Sequence, residues 1–340
     1  MPELTRLVPT NMNMVCKFMF SSRRVVGVRV AFVGKSGAGK TTLAALFCRH
    51  LAADGVPVLA LDADINQNLG QALGVTEIPS PLGANLNAIK EYLRGDNPRI
   101  SSAAEMLKTT PPGRGSRLLR VDEPNPVWAA CVRWNGSIGL AVTGAFTEAD
   151  LGVTCYHSKV GAVELVLNHL LDEPDEFVVV DMTAGADAFA SGLFTGFDQT
   201  FIVCEPTVRG VGVYQQYLSY AREFDVRISV IGNKVVDEAD MEFLRAHVGA
   251  DLLTCLGVSS YVRAADRGVT RPIDELEAEN AEALLDLRKV VEGIERDWAK
   301  LTAHTVEFHL CNAVAWGNNK TGVDLTSQVD AEFVLGPARV

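Results

Sequence analysis

The chain lacks the features that mark several large classes of protein. No uninterrupted apolar run among its 340 residues approaches the roughly 20 that a membrane-spanning helix needs, and its N-terminal stretch lacks the charge order and cleavage site of a signal peptide. Basic residues are also in deficit, since 31 Lys and Arg stand against 42 Asp and Glu and the net charge is -11. These absences argue against membrane and nucleic-acid partners.

A disulfide framework is also missing. The seven cysteines are an odd number and lie mostly within apolar segments, as Cys48 and Cys204 do. This usage is typical of buried thiols in a reducing compartment. We therefore expect a cytoplasmic protein.

The chain is instead rich in short β-branched runs that alternate with amphipathic stretches. With 48% hydrophobic and 21% charged residues, the composition is that of a globular protein. Runs that read as near-continuous Val, Ile and Phe predict strands covered on both faces, and the alternation predicts a doubly wound α/β fold with a mostly parallel sheet. The predicted strands are 28–33, 56–64, 137–143, 176–182, 199–205 and 227–235.

Composition divides the chain into one main domain with additions. The main domain is predicted over 28–300, and its Pro-, Gly- and Ser-rich part, 76–130, reads as a loop-rich insertion with a short helix. The extension 1–27 fits either an extra edge strand or a disordered segment. The extension 301–340 carries no chemical motif and reads as an ordered cover or a partner contact.

Near the C-terminus, apolar residues at steps of three and four predict one long helix. This helix fits either packing on its own domain or a coiled coil between subunits. The residues of the seam are Leu284, Leu287, Val291, Ile294, Trp298 and Leu301.

The stretch GKSGAGKTT, residues 34–42, matches the phosphate-binding pattern G-x-x-x-x-G-K-[ST] directly after a predicted strand and at the start of a helix. In this pattern Gly34 and Gly39 free backbone N–H groups for phosphates, and the helix N-terminus adds partial positive charge. Lys40 is placed to reach the β and γ phosphates, and the Thr41 hydroxyl to bind Mg²⁺. The stretch therefore predicts an ATP or ADP site.

The same stretch resembles the deviant Walker A motif, G-K-G-G-x-G-K-[ST]-T, of the MinD, ParA, NifH and CooC ATPases, with Ser36 in place of a glycine. In that family the first lysine crosses a dimer interface to the nucleotide of the other subunit. The resemblance thus implies a catalytic role in trans for Lys35 and a homodimer on ATP binding. The residues it assigns to the nucleotide are Gly34, Ser36, Gly37, Ala38, Gly39, Lys40, Thr41 and Thr42.

Further segments resemble the switches of this family. In LALDADINQNLGQALG (59–74), Asp64 matches the aspartate that orients the attacking water, while Asp62 fits either a structural carboxylate or an Mg²⁺ ligand. In VVVDMTAG (178–185), Asp181 would hold Mg²⁺ through a water and the Gly185 backbone would sense the γ-phosphate. Asn233 matches the residue that contacts adenine.

Within the family, the segment TCYHSKVGAVELVL (154–167) resembles the place where CooC proteins, which assist nickel insertion into carbon monoxide dehydrogenase, carry Cys-x-Cys. Here Cys155 and His157 occupy those positions. Two Cys and two His from a symmetric dimer would suit Zn²⁺ or Ni²⁺. The alternative is that Cys155 only packs and His157 is an ordinary loop or helix-start residue.

Three functions fit these resemblances, which cover about residues 28–270. The first is a CooC-like ATPase that couples ATP-driven dimerisation to metal delivery or activation of a client enzyme. The second is a MinD- or ParA-like switch that recruits a protein partner without metal. The third, a NifH-like iron-sulfur electron donor, requires a cysteine soon after the second switch, and DMTAGADAFASG contains none.

Overall fold

The runs of β-branched and aromatic residues form strands of one sheet. The computed structural model describes residues 27–145, 156–172, 174–189 and 192–337. Its strands are β1 Val28–Gly34, β2 Val58–Ala63, β3 Arg133–Asn135, β4 Ile138–Val142, β5 Phe177–Met182, β6 Gln199–Cys204, β7 Ile228–Val235 and β8 Leu252–Gly257. Their order in the sheet is β3-β4-β2-β5-β1-β6-β7-β8.

The sheet is parallel except for the β3–β4 hairpin at one edge. This arrangement confirms the predicted doubly wound α/β fold. Two edge strands were not predicted from the sequence. β3 has only three residues, all exposed, and β8 is only partly buried over most of its length, so neither carries the continuous β-branched pattern of a central strand.

Helices cover both faces of the sheet. Along β1, Val30 and Phe32 pack on one face with Phe47, while Ala31 and Val33 pack on the other with Val163, as the alternation of a strand requires. The helices are α1 Lys40–Ala53, α2 Leu69–Ala72, α3 Leu86–Arg94, α4 Pro126–Cys131, α5 Tyr156–Asn168, α6 Val208–Ala221, α7 Glu238–Val248, α8 Ser260–Ala265, α9 Ala278–Glu292, α10 Trp298–Asn312 and α11 Asn318–Thr321. In the ranges that the structure covers, no helix is long and apolar enough to cross a bilayer.

The predicted insertion and the C-terminal segment pack on each other. His309 and Gln328 are buried and reach Thr109 and Thr110 through side-chain contacts of 3.4 and 3.3 Å. Arg114 donates hydrogen bonds to both carboxylate oxygens of Asp330, at 2.8 and 2.9 Å. The predicted boundary between the main domain and the C-terminal extension, at residue 300, falls inside α10. The first 26 residues, where an edge strand was one expectation, lie outside the described ranges.

The prediction of one long helix through Leu284 to Leu301 is wrong. α9 ends at Glu292, Gly293 follows as its C-cap, and α10 starts after the N-cap Asp297. Gly is a weak helix former, and the intervening Arg296 turns into the protein, where it is 7% exposed. In the α9 part of the seam, Leu287 and Val291 are buried in the core on one face of the sheet, and Leu284 is buried in a small cluster with Leu46 and Tyr261. This is as expected for a helix that packs on its own domain.

Arg296 belongs to a buried ion cluster at the amino end of the strands. It donates to Asp172 at 2.6 Å and to Asp198 at 2.6 Å, and Arg29 of β1 donates to Asp172 at 2.9 Å. Although burial opposes ionisation, the two guanidinium groups lower the pKa of Asp172 to about 2. The cluster therefore ties the α9–α10 connection to the first strand.

Candidate nucleotide-binding site

The loop between β1 and α1 has the backbone of a phosphate-binding loop. Gly34 has φ of +148°, and a Cβ there would lie 2.4 Å from the carbonyl oxygen of Val203. Gly39 has φ of +99°, and its Cβ would lie 2.3 Å from the Nδ2 atom of Asn233. Only glycine fits both positions. The loop leads directly into the N-terminus of α1, where N–H groups remain free for an anion.

Lys40 and Thr41 begin α1 and turn toward the carboxyl ends of the central strands. Lys40 is only 6% exposed, and the Thr41 hydroxyl donates a 2.6 Å hydrogen bond to Asp181 Oδ2. The structure thus brings together two residues that are 140 positions apart in the sequence. Their common role around one cation stays a prediction.

Asp62 and Asp181 lie side by side because they are register partners in β2 and β5. Asp62 accepts hydrogen bonds from the backbone N–H groups of Asp64 and Leu69, at 3.1 and 2.9 Å. Burial raises the pKa of Asp62 to about 6. Burial, with the neighbouring Asp62 charge, raises the pKa of Asp181 to about 8. Both carboxyl groups therefore hold a proton more readily than free ones do, and a cation bound beside them would favour their ionised forms.

One carboxylate oxygen at this site is placed to bind a cation, either directly or through a water molecule. Asp181 Oδ1 is buried and has no hydrogen-bond partner among the described residues, an arrangement that costs free energy unless a ligand completes it. No group of three or more His, Cys, Asp or Glu side chains that could cage a metal occurs in the described ranges. The residues fit Mg²⁺, which commonly uses one or two protein ligands together with phosphates and waters.

Asp64 lies beyond the end of β2, in the wall of the cleft that opens over the phosphate loop. Its Oδ1 atom accepts hydrogen bonds from the backbone N–H of Asn66 and from Asn66 Nδ2, at 3.0 and 2.8 Å. The carboxylate is therefore oriented by its own loop and not by the magnesium-site residues. Its role in orienting water stays a prediction.

The cleft over the phosphate loop has a volume of about 610 Å³. Asn233 lies in its wall and donates through Nδ2 to the Ala38 carbonyl at 2.7 Å, so its amide supports the loop, and its contact with adenine stays a prediction. Gly185, with φ of +71°, begins the short 3-10 helix Gly185–Phe189 after the second switch aspartate; its phosphate contact is likewise a prediction.

Sequence reasoning missed the far wall of the cleft. The residues there follow β8 at its carboxyl end, and a parallel sheet gathers binding residues at that edge. Because the sequence does not predict β8, it does not predict that the residues after β8 lie at this edge. They include Val258, Ser259, Tyr261, Val262, Arg263 and Asp266.

Lys35 belongs to the phosphate loop, but the cleft is lined by Ser36 and Lys40 and not by Lys35. Its side chain is 35% exposed, and Nζ lies 3.7 Å from Glu205 Oε2. Cys155 lies outside the described residues. His157 falls within α5, but its side chain is also outside what the structure describes. The possible metal site of Cys155 and His157 is therefore still a hypothesis.

The family model for the CobQ/CobB/MinD/ParA nucleotide binding domain matches residues 30–295. Among curated relatives, the chain is 31% identical over 245 residues to the carbon monoxide dehydrogenase accessory protein CooC of Rhodospirillum rubrum. That match spans 71% of this chain and 87% of the relative. The chain is also 30% identical over 236 residues to an uncharacterised ATP-binding protein of Methanocaldococcus jannaschii, spanning 69% and 85% of the two chains.

Solved structures show the same fold at low sequence identity. The septum site-determining protein MinD of Pyrococcus horikoshii OT3, complexed with Mg-ADP, aligns with a TM-score of 0.52 and 17% identity. The alignment covers 78% of this chain and 96% of that chain. At this level of identity the likeness concerns the arrangement of strands and helices.

Proposed function

Because the chain belongs to the CobQ/CobB/MinD/ParA nucleotide-binding domain family and is a P-loop ATPase, we propose that it is a homodimeric switch driven by ATP. In this proposal ATP binding joins two subunits, and hydrolysis separates them. The dimer acts as a CooC-like accessory protein that delivers a metal or activates a client enzyme. The observation that carries the proposal is the partly exposed Lys35, which lies in the phosphate loop but outside the lining of the cleft that contains Lys40 and Thr41.

The nucleotide half of the proposal rests on the contacts around α1. Lys40, buried at the helix N-terminus, neutralises charge on the β and γ phosphates. Thr41 and Asp181 already share a hydrogen bond, and in the loaded site they would hold Mg²⁺, with Asp181 acting through a water. Bound Mg²⁺ would supply charge neutralisation on the phosphates. Asp62 fixes the start of the first switch through its two backbone contacts.

Hydrolysis in this proposal is a direct attack of water on the γ-phosphate. Asp64 would orient that water, because its carboxylate lies in the cleft wall and is held by its own loop. Charge that develops on the transferring group would be stabilised by Lys40 from the same subunit and by Lys35 from the other. Turnover would therefore depend on the dimer.

Asp64→Asn tests the dimeric switch. The substitution keeps the size of the side chain and removes its charge, so ATP should still bind while the attacking water loses its orientation. We expect ATPase activity to fall by about a hundredfold or more, and the ATP-bound dimer to persist in analytical ultracentrifugation. Wild type should dimerise with a non-hydrolysable ATP analogue and not with ADP.

The exposed Asp122 lies away from the cleft, and Asp122→Asn makes the same change of charge as a control. Its turnover and its ATP-dependent dimerisation should equal those of wild type. Ordinary turnover in Asp64→Asn would move the water-orienting role elsewhere. A wild-type protein that stays monomeric with the ATP analogue would overturn the switch itself.

The metal half of the proposal rests on the likeness to CooC and on the Cys-x-His sequence of Cys155 and His157, of which His157 falls within α5. We expect about half a Zn²⁺ or Ni²⁺ ion per chain, measured by elemental mass spectrometry with the ATP analogue present, because two subunits would share one tetrahedral site. Cys155→Ser should lose this metal. Cys311→Ser, which changes an exposed cysteine on α10, should keep it. Wild-type metal no higher than that of Cys155→Ser would favour a dimer switch that recruits a protein client without metal.

A further inference from the structure

Glu205, which follows β6 at the carboxyl edge of the sheet, contacts two lysines of the nucleotide site at once. Its Oε1 atom lies 2.7 Å from Lys234 Nζ, and its Oε2 atom lies 3.7 Å from Lys35 Nζ. The carboxylate is 18% exposed, whereas the Lys35 and Lys234 side chains are 35% and 50% exposed. A single carboxylate therefore lies between two ammonium groups, that of the P-loop lysine proposed to act across the dimer and that of a second lysine beside it.

Lys234 is held in this place by its backbone. It has φ of +61°, a left-handed conformation that is uncommon for a residue with a side chain and persists where the surroundings enforce it. The strand pairing of β7 with β8 shifts register between Gly232 and Val235, around this residue. Lys234 Nζ also donates to the Gly37 carbonyl at 2.6 Å. The irregular strand end thus directs Lys234 back onto the phosphate loop.

We propose that Glu205 is a positioning residue for Lys35. In the free subunit the carboxylate retains Lys35 in cis, and it releases the lysine when the phosphates of a nucleotide on a second copy of this chain offer a stronger negative charge. This inference rests on the proposed function, since it requires Lys35 to act in trans. It adds the residue that holds Lys35 before the dimer forms.

These contacts keep the free-energy cost of releasing Lys35 low. When Lys35 leaves, Glu205 keeps Lys234 at 2.7 Å, so the carboxylate is not left without a cation beside it. The contact with Lys35 is longer, at 3.7 Å, and the lysine is partly exposed, and pairs of this kind are weak. Glu205 thus holds Lys35 only until the phosphates of a nucleotide on the other subunit attract the lysine more strongly.

A purely structural role for Glu205 predicts the opposite change in dimer affinity when the carboxylate is removed. If the carboxylate only supported Lys234 and the phosphate loop, its removal would weaken nucleotide binding and dimerisation. If it restrains Lys35, its removal strengthens dimerisation, because each subunit no longer gives up an ion pair on association. The sign of the change separates the two roles.

The test compares Glu205→Gln, Glu205→Asp and wild type by sedimentation over a range of protein concentrations, with a non-hydrolysable ATP analogue and with ADP. Two released pairs of this exposed kind predict a dimer dissociation constant about twofold to twentyfold lower in Glu205→Gln. The ADP complex should also begin to dimerise. Glu205→Asp, which keeps the charge, should return toward wild type.

Glu238→Gln is the matched control, since it removes the carboxylate of another exposed ion pair, with Arg245 at 2.7 Å, away from the phosphate loop. It should leave the dissociation constant unchanged. A constant in Glu205→Gln that equals or exceeds that of wild type would overturn the inference.

A second measurement separates failure of this inference from failure of the dimer. In nucleotide-free monomer, the rate at which acetic anhydride acetylates Lys35, read by mass spectrometry, should rise about twofold or more in Glu205→Gln. An unchanged rate would show that Glu205 does not restrain Lys35, whatever the dimer does. If the rate rises in Glu205→Gln but the wild-type protein never dimerises, Glu205 restrains Lys35, and the proposed use of Lys35 in trans is rejected.

Discussion

Lys40→Ala is expected to abolish nucleotide binding. The Lys40 side chain is almost fully buried at the start of α1, and the other lysine of the phosphate loop, Lys35, is not part of the cleft lining. Removal of the Lys40 side chain leaves Asp62 and Asp181 facing incoming phosphates without a cation from the loop. Since charge-assisted hydrogen bonds to phosphate are among the strong ones, we expect the dissociation constant for Mg-ATP to rise by at least about a hundredfold.

Isothermal titration calorimetry with ATP and with ADP measures this loss directly. Lys289→Ala is the control, because Lys289 is an exposed lysine on α9 that pairs only with Asp286 in the described structure. It should bind ATP as wild type does. A circular dichroism spectrum establishes that both variants are folded. Binding by Lys40→Ala within about threefold of wild type would contradict the assignment of the phosphate site.

Lys35→Ala is expected to keep nucleotide binding but to lose ATP-dependent dimerisation and turnover. The side chain lies outside the cleft lining of its own subunit, so its removal leaves that cleft intact. A cation supplied in trans to a transferring phosphoryl group is worth about a thousandfold or more in rate. ATPase activity should therefore fall by that order, while the affinity for ATP changes little.

Mixing the two inactive variants provides the sharper test. A Lys40→Ala subunit lacks a working phosphate site but still carries Lys35, and a Lys35→Ala subunit carries the intact site. If Lys35 acts across the interface, the mixture should recover measurable ATPase activity that neither variant has alone. No recovery, combined with an active Lys35→Ala dimer, would place the function of Lys35 within its own subunit.

Much of the fold could be predicted because its signals are local. The buried parallel strands carry continuous apolar runs, and the phosphate loop joins one of them to a helix by a fixed pattern. The misses arise where tertiary contacts override local pattern. The apolar seam continues through Ile294, yet the helix ends at Glu292, because Arg296 is drawn into the buried pair with Asp172 and Asp198.

The far wall of the cleft was missed for a related reason. Tyr261 and Arg263 carry no motif, and they reach the nucleotide cleft only because β8 places them at the carboxyl edge of the sheet. As an edge strand that is only partly buried, β8 gives a weak signal in the sequence. A strand too weak to predict thus decides which residues complete the site.

The sequence by itself determined the chemistry of this protein: a phosphate loop with two lysines, carboxylates at strand ends, and a parallel sheet to carry them. Only the tertiary structure decided which of these groups meet. The order of strands sets Asp62 beside Asp181, and it brings Lys234 to Gly37, 197 positions away. Local sequence patterns report neighbours along the chain, whereas contacts between strands depend on which strands pair. The contact of Glu205 with Lys35 could therefore be found only in the folded molecule.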